Sequence, residues 1–518
     1  MSDETWDPEI AALRERQRLA QEMGGADKVA RQRERGKLTV RERIDQLLDA
    51  GSFREVGSIS GSASYNEDGS LARYTPANFL FGRGTIDGRP VVVGGDDFTI
   101  RGGSAEATIH EKQVQAEQMA LDLRLPMVRL VDGTGGGGSV KTLETDGYTY
   151  VPALPGWDHV VANLGTVPVV SLGLGPVAGL GAARLCSSHY AVLVQGIGQM
   201  FAAGPALVTA AGRAVTKDEL GGADVHARSG AVDDLAEDEA GAFALARRFL
   251  SYLPSSVEAL PECQPCDDPA DRSERWLDGA IPRDRRLTYK MRPILEAIMD
   301  RGSVFEIGRR WGGSIITAFA RLDGWPVAVV ASDVTVSAGA WTADASQKLT
   351  RFLELAETFH LPVVTFVDIP GLMIGVEAEK AGTLRHGSRA LASVYQATVP
   401  WCTVIVRKAF GVAASGMSNH TRFRHRYAWP SGDWGSLPIE GGIEVAYKAE
   451  LDAAPDREAA RREITERLNR VRSPFRTAER FLVEEIIAPS ETRALLCEFA
   501  NLAAPLRRPG RSGFTFRP

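Results

Sequence analysis

Residues 362 to 417 run from PVVTFVDIPG to FGVAASGM and hold two apolar runs, each closed by a glycine turn. The first run, Val363 to Val367, ends at Asp368-Ile369-Pro370-Gly371. The second, Cys402 to Val406, ends at Gly411-Val412-Ala413. Short apolar runs without polar alternation read as strands buried on both faces. A turn following such a strand can aim backbone N–H groups at an oxyanion.

The stretch has an earlier counterpart at residues 126 to 183. LPMVRLVDGTGG at 125 to 136 matches LPVVTFVDIPGL at 361 to 372. GTIDGRPVVVGGDDFT at 84 to 99 matches ARLDGWPVAVVASDVT at 320 to 335, and GSFREVG at 51 to 57 matches GSVFEIG at 302 to 308. Pro90 and Pro126 are 36 residues apart, as are Pro326 and Pro362, and the copies are offset by 236. VPVVSLGLGPVAG at 167 to 179 matches VPWCTVIVRKAFG at 399 to 411 at an offset of 232, so the intervening loops differ in length. A period this long signals two copies of one domain and not a solenoid. Strand-like runs alternate with helical patterns, as at Ser346 to His360, so each copy is expected to be α/β with crossover helices.

The expected division is a first domain at 1–255, a linker at 256–284 rich in Pro, Asp and Ser, and a second domain at 285–518. Thr39 and Glu42 have capping-box spacing at the start of a helix. A chain of 518 residues with 24% charged and 44% hydrophobic residues is ordinary for globular domains. A net charge of −6 gives no nucleic-acid footprint. Five scattered cysteines argue for a reducing compartment, and no signal peptide is visible at MSDETWDPEI, so the expectation is cytoplasmic. The least charged stretch, Tyr190 to Ala211, reads as buried core and not as a membrane span. Cys263 and Cys266 form a lone CxxC without a second ligand pair and read as incidental.

The usual catalytic sets are absent: there is no GxSxG elbow, HExxH helix or GxxxxGK[ST] loop, and the eight histidines lack metal-ligand spacing. The glycine turns remain, at Asp132 to Gly138, Gly175 to Ala182, Asp368 to Gly371 and Gly411 to Ala413. Two N–H donors on a thioester enolate oxygen lower the barrier to removing an α-proton by on the order of 3 kcal/mol per donor. Such chemistry needs no side-chain base or metal if the second substrate brings its own base.

With these residues in view, the chain resembles the carboxyltransferase (β) subunits of biotin-dependent acyl-CoA carboxylases, of the propionyl-CoA and methylcrotonyl-CoA type. The resemblance is carried by RGKLTVRERIDQLLDAGSF, DFTIRGGSAEATIHEK, TKDELGGADVH, FVDIPGLMIG, GTLRHGSRAL, ATVPWCTVIVRKAFG, YAWP and ETRALLCEFANL. It implies two tandem crotonase-like domains, an acyl-CoA side and a biotin side. It also implies a homo-oligomer, a hexamer, whose sites join the first domain of one chain to the second of another. The partner implied is a biotin carboxylase or biotin carrier subunit. By the same resemblance, carboxybiotin releases CO2, its ureido anion takes the α-proton, and the enolate attacks CO2 at the α or vinylogous γ carbon. By position, Gly179, Leu180 and Gly181 would serve the thioester oxygen, and Gly411, Val412 and Ala413 would serve biotin. Gly135, Gly136, Gly137, Gly371 and Ser415 would line the substrate. Arg101, Lys112, Lys141, Lys348 and Arg407 are candidates for CoA phosphates, with ordinary surface charge as the alternative.

The sequence departs from the family at its substrate positions. Asp132-Gly133-Thr134-Gly135-Gly136 stands where Asp-Ser-Gly-Gly-Ala is common, Ala178-Gly179-Leu180 where Ala-Gly-Gly is, and Ser415 where propionyl-type enzymes carry Asp. Two other readings stay open: a biotin-dependent decarboxylase or transcarboxylase subunit, and a non-catalytic assembly paralogue. No metal is expected, because nothing matches the four-cysteine zinc module of the bacterial acetyl-CoA type.

Overall fold

The sequence repeat folds twice into the same sheet. The computed structural model describes residues 5–104, 109–133, 143–144, 147–212, 214–514 and 516–518. The chain divides into two compact units, Met1–Glu258 with Arg517–Pro518, and Ala259–Phe516. In the first, strands Arg54–Val56, Phe79–Ile86, Arg89–Asp96, Met127–Val131, Val169–Gly173, Tyr190–Val194 and Asp234–Ala236 lie in sequence order across one sheet. The first three pair antiparallel and the rest parallel. The second unit repeats this order with Phe305–Ile307, Ile315–Leu322, Trp325–Ser332, Val363–Ile369, Trp401–Phe410, His425–Ala428 and Glu485–Ile486. Parallel neighbours need crossovers. Helices His110–Leu123 and Ala343–Thr358 supply the equivalent ones, followed by Leu125 N–H and Leu361 N–H donating to Ala120 O and Ala356 O.

The apolar runs are the central strands. Met127–Val131, Val169–Gly173, Tyr190–Val194 and Val363–Ile369 are buried at every position. In each copy the second proline of the spaced pair, Pro126 or Pro362, sits just ahead of a strand, where its missing N–H costs the ladder nothing. Its carbonyl accepts from the neighbouring strand: Val92 N–H reaches Pro126 O at 2.9 Å, and Ala328 N–H reaches Pro362 O at 2.8 Å. The loop-length difference leaves the next pair intact, Met127 N–H to Pro168 O at 2.8 Å and Val363 N–H to Pro400 O at 2.9 Å. Among the described residues no helix is long and apolar enough to cross a membrane.

Each unit is pinned at the end of its fourth strand by a buried aspartate. In the first, Lys37 Nζ and Arg43 Nη1 donate to Asp132 at 2.8 Å each, and Arg43 Nε donates to Glu239 at 2.6 Å. Thr39, between the two cations, caps helix Val40–Leu47 in a reciprocal box with Glu42, as its spacing predicts. In the second, Arg407 Nε and the Tyr289 hydroxyl donate to Asp368 at 2.8 Å each.

Part of the stretch expected as a linker is fastened to the second unit. Arg272 pairs with Asp268 and donates to the carbonyls of Ala297 and Met299, and Leu277 lies in that unit's core. Composition reads such a stretch as loop, but side-chain hydrogen bonds to helix-end carbonyls tie it down.

Arg43 is fully buried, so Arg43→Met leaves Asp132 and Glu239 short of their shared partner. Breaking such a pair costs about 3–5 kcal/mol. Arg33→Met, which removes the exposed pair with Glu42, costs at most about 1 kcal/mol. Urea unfolding should show a large shift of the first transition for R43M and almost none for R33M.

Candidate active site

The first glycine turn follows the short strand Pro176–Ala178, which pairs with Gln199–Phe201. Gly179 adopts φ 59°, ψ −119°, a conformation open to glycine and strained for other residues. Its N–H donates to Phe201 O at 3.1 Å, and Ala178 N–H donates to Gly133 O at 3.2 Å. Helix Leu180–Cys186 begins there. Among the described residues the Leu180 and Gly181 N–H groups meet no acceptor. The three residues singled out in the sequence therefore divide: Gly179 shapes the turn, and Leu180 and Gly181 present the donors.

These donors border a cavity of about 50 Å³ whose walls include Phe79, Met127, Asp96, Glu117, Arg184 and the small Gly133. Burial pushes the Asp96 carboxyl up to about 6, against the hydrogen bond that its carboxylate accepts from Asp132 N–H. Burial also lowers Arg184 below its ordinary value, against the attraction of Glu117. Gly135, Gly136 and Gly137 lie outside the described residues.

The second turn is built the same way. Strand Trp401–Phe410 runs into Gly411, at φ 64°, which opens helix Gly411–Ser415. Val412 is 59% exposed and its N–H meets no acceptor among the described residues. Ala413 is fully buried, also without an acceptor for its N–H among them. Ser415 hydroxyl donates to Gly411 O at 3.4 Å. Gly411 and Ser415 border a pocket of about 420 Å³ with Ile405, His420, Arg426 and Trp434. Burial and the nearby Arg426 and Arg424 hold His420 below its ordinary value, so it is neutral at pH 7. Gly371, at φ 134°, is tied through its carbonyl to Trp341 N–H at 3.1 Å and is not in that pocket wall.

Three of the basic residues considered for CoA phosphates are internal. Lys112 reaches Gly57 O at 3.1 Å, Lys348 reaches Ile315 O at 2.8 Å, and Arg407 holds Asp368. Lys112 and Lys348 stand at the repeat offset of 236, a signal that they share a structural role. Arg101 is exposed, and Lys141 lies outside the described residues. Cys263 and Cys266 are free thiols. Among the described residues no group of three or more His, Cys, Asp or Glu is placed to hold a metal.

The sequence reading missed Arg129, Glu117 and Arg184. Arg129 sits inside the fully buried strand Met127–Val131 and makes a two-pronged pair with Glu117 at 2.7 and 2.9 Å. A charge in the middle of an apolar run was the available signal, because a buried strand tolerates it only with a partner.

The pattern of the carboxyl transferase domain matches residues 31–510. This chain belongs to the carboxyl transferase family, that of the β-subunits of biotin-dependent acyl-CoA carboxylases. Among its relatives is a propionyl-CoA carboxylase carboxyltransferase subunit of Haloferax mediterranei, 34% identical over 494 residues, spanning 94% of this chain and 95% of that one. The methylmalonyl-CoA carboxyltransferase 12S subunit of Propionibacterium freudenreichii subsp. shermanii is 33% identical, spanning 97% and 96%. A crystal structure of a transcarboxylase 12S, described as a hexamer assembly with methylmalonyl-coenzyme A bound, superposes with a TM-score of 0.87 at 30% identity over 99% of each chain. The family's crotonase-like fold is thus the fold of both units.

In this carboxyl transferase, Gly179→Ala isolates the backbone demand of the turn, because a Cβ there meets open space. The positive φ alone should cost about 1–2 kcal/mol. Gly204→Ala, at φ −65° and also in open space, should stay within about 1 kcal/mol of the parent. Chemical denaturation of the two variants separates them.

Proposed function

We propose that this chain is the carboxyltransferase subunit of a biotin-dependent acyl-CoA carboxylase, moving a carboxyl group from carboxybiotin to the α, or vinylogous γ, carbon of an acyl-CoA. The observation that carries the reading is the pair of N–H groups at Leu180 and Gly181 that meet no acceptor among the described residues, beside a cavity and after a turn that only glycine adopts without strain. Placed on the thioester oxygen, they stabilise the charge that develops there as the α-proton leaves. Each donor contributes on the order of 3 kcal/mol because it is already oriented and needs no reorganisation. Asp132 holds the neighbouring strand end in place, and Phe201 O fixes the turn through Gly179.

The second turn fits a biotin ring. Val412 offers an exposed, unpaired N–H for the ureido oxygen, and Ile405, Trp434 and Val483 give the adjoining pocket apolar walls. Biotin supplies the carboxyl group and the base when its carrier docks. This chain's part is to hold the ring with Gly411 and Val412 and, at the first turn, to hold the thioester. The partner is then a biotin carrier with its biotin carboxylase, and the subunit assembles as a homo-hexamer, the state named for the similar transcarboxylase 12S. Free donors in both units favour a catalytic subunit over a non-catalytic assembly paralogue.

Leu180→Pro tests the reading directly. Leu180 is the first helical residue, where proline is tolerated and its missing N–H has no intrahelical role. Assayed with the biotinylated partner against a panel of acyl-CoAs, L180P should assemble normally and lose about 100- to 1,000-fold in kcat. A well-folded L180P of near-parental activity would sink the assignment of the thioester site.

A further inference from the structure

Arg184 is attracted by Glu117 and Asp96 but is hydrogen-bonded to neither. Arg129 is saturated: its guanidinium binds both Glu117 oxygens and donates to Arg184 O and Ser187 O. Glu117 also accepts from Asn163 at 2.9 Å. Asp97 and Asp132 have partners of their own. The Arg184 guanidinium makes no hydrogen bond or ion pair with any described residue, and its Nε is buried without an acceptor. Leu180 and Arg184 are four apart on one helix, hence on one face, and both border the same cavity. Arg184 is partly buried, and a guanidinium drawn away from water gains from a hydrogen-bonding carboxylate, so the arrangement suits an acceptor that none of the described residues provides.

We infer that Arg184 is a specificity-determining residue that binds a carboxylate at the far end of a short acyl chain, so that the preferred substrate is the CoA half-thioester of a small dicarboxylic acid. The inference rests on the reading that Leu180 and Gly181 hold the thioester oxygen. Leu180, Gly181 and Arg184 all border one small cavity, so a group that reaches from the donors to the guanidinium is a short one, such as glutaryl, and not a long chain. A cavity of about 50 Å³ has room for only a few waters, which again favours a short acyl group. Asp96 borders the same space and is the carboxylate that an incoming anion would repel. With its carboxyl raised to about 6, it can take up a proton when the second carboxylate arrives.

The test compares glutaryl-CoA with propionyl-CoA as acceptors, using the full chain with its biotinylated partner, and follows the binding of each thioester by calorimetry. The parent enzyme should favour glutaryl-CoA in kcat/KM by about tenfold or more. Arg184→Leu should reverse that preference, losing about 10- to 100-fold on glutaryl-CoA with little change on propionyl-CoA. Arg184→Lys should recover part of it, keeping the charge without the fork. A parent that prefers propionyl-CoA overturns the inference and leaves the carboxyltransferase reading standing, and this arm decides even if the variants fail to fold. Equal loss on both thioesters in R184L also overturns it, since that marks a structural role. If the parent neither binds nor carboxylates any acyl-CoA, the thioester site itself is wrong and the inference falls with it.

Discussion

Each unit depends on one buried carboxylate at the end of a fully buried strand, Asp132 in the first and Asp368 in the second. A charge in that position is unfavourable unless it is paired and hydrogen-bonded, and both aspartates are. The strand end is thereby locked to segments distant in sequence: Lys37 and Arg43 for Asp132, Tyr289 and Arg407 for Asp368. The backbone N–H of each aspartate is held by the preceding strand, through Asp96 in one unit and Ser332 in the other. Small residues then become obligatory nearby. A Cβ on Gly175 would lie 1.9 Å from the Asp132 carboxylate, and one on Gly103 or Gly339 would meet the carbonyl of Asp132 or Asp368.

Around these anchors the two units diverge where chemistry is expected. Both carry a glycine of positive φ that opens a short helix, at Gly179 and Gly411. In the first unit the donors face a small cavity walled by charges; in the second they adjoin a larger pocket whose wall mixes Ile405, Trp434 and Val483 with His420 and Arg426. The position of Asp96 is Ser332 in the second copy, so one copy keeps a titratable group where the other keeps a hydroxyl. Duplication preserved the backbone scaffold, and side chains changed where the scaffold did not need them.

The glycine turns were visible in the sequence, but the role of each residue within them was not. Gly179 looked like a donor by position, yet its N–H is held by Phe201 O, twenty-two residues further along the chain. Lys112, Lys348 and Arg407 looked like candidates for phosphate contacts, yet each is buried on an internal acceptor. Burial of a long cationic side chain follows from which segments close over it, which composition does not reveal. Arg129 announced itself inside an apolar run, but its partner Glu117 lies on the crossover helix and is found only when helix and strand meet.

The sequence by itself determined the duplication, the α/β class, the central strands, the Thr39 capping box and the family. All of these rest on local periodicity, fixed spacing or motif identity, which a linear chain displays directly. The tertiary structure decided which N–H groups meet no acceptor among the described residues, which cations are internal, and that Arg184 borders the same cavity as Leu180 and Gly181 without a hydrogen bond to any of those residues. Those outcomes depend on contacts between residues far apart in sequence, where hydrogen-bond satisfaction and burial are settled only once the sheet and its crossovers have closed.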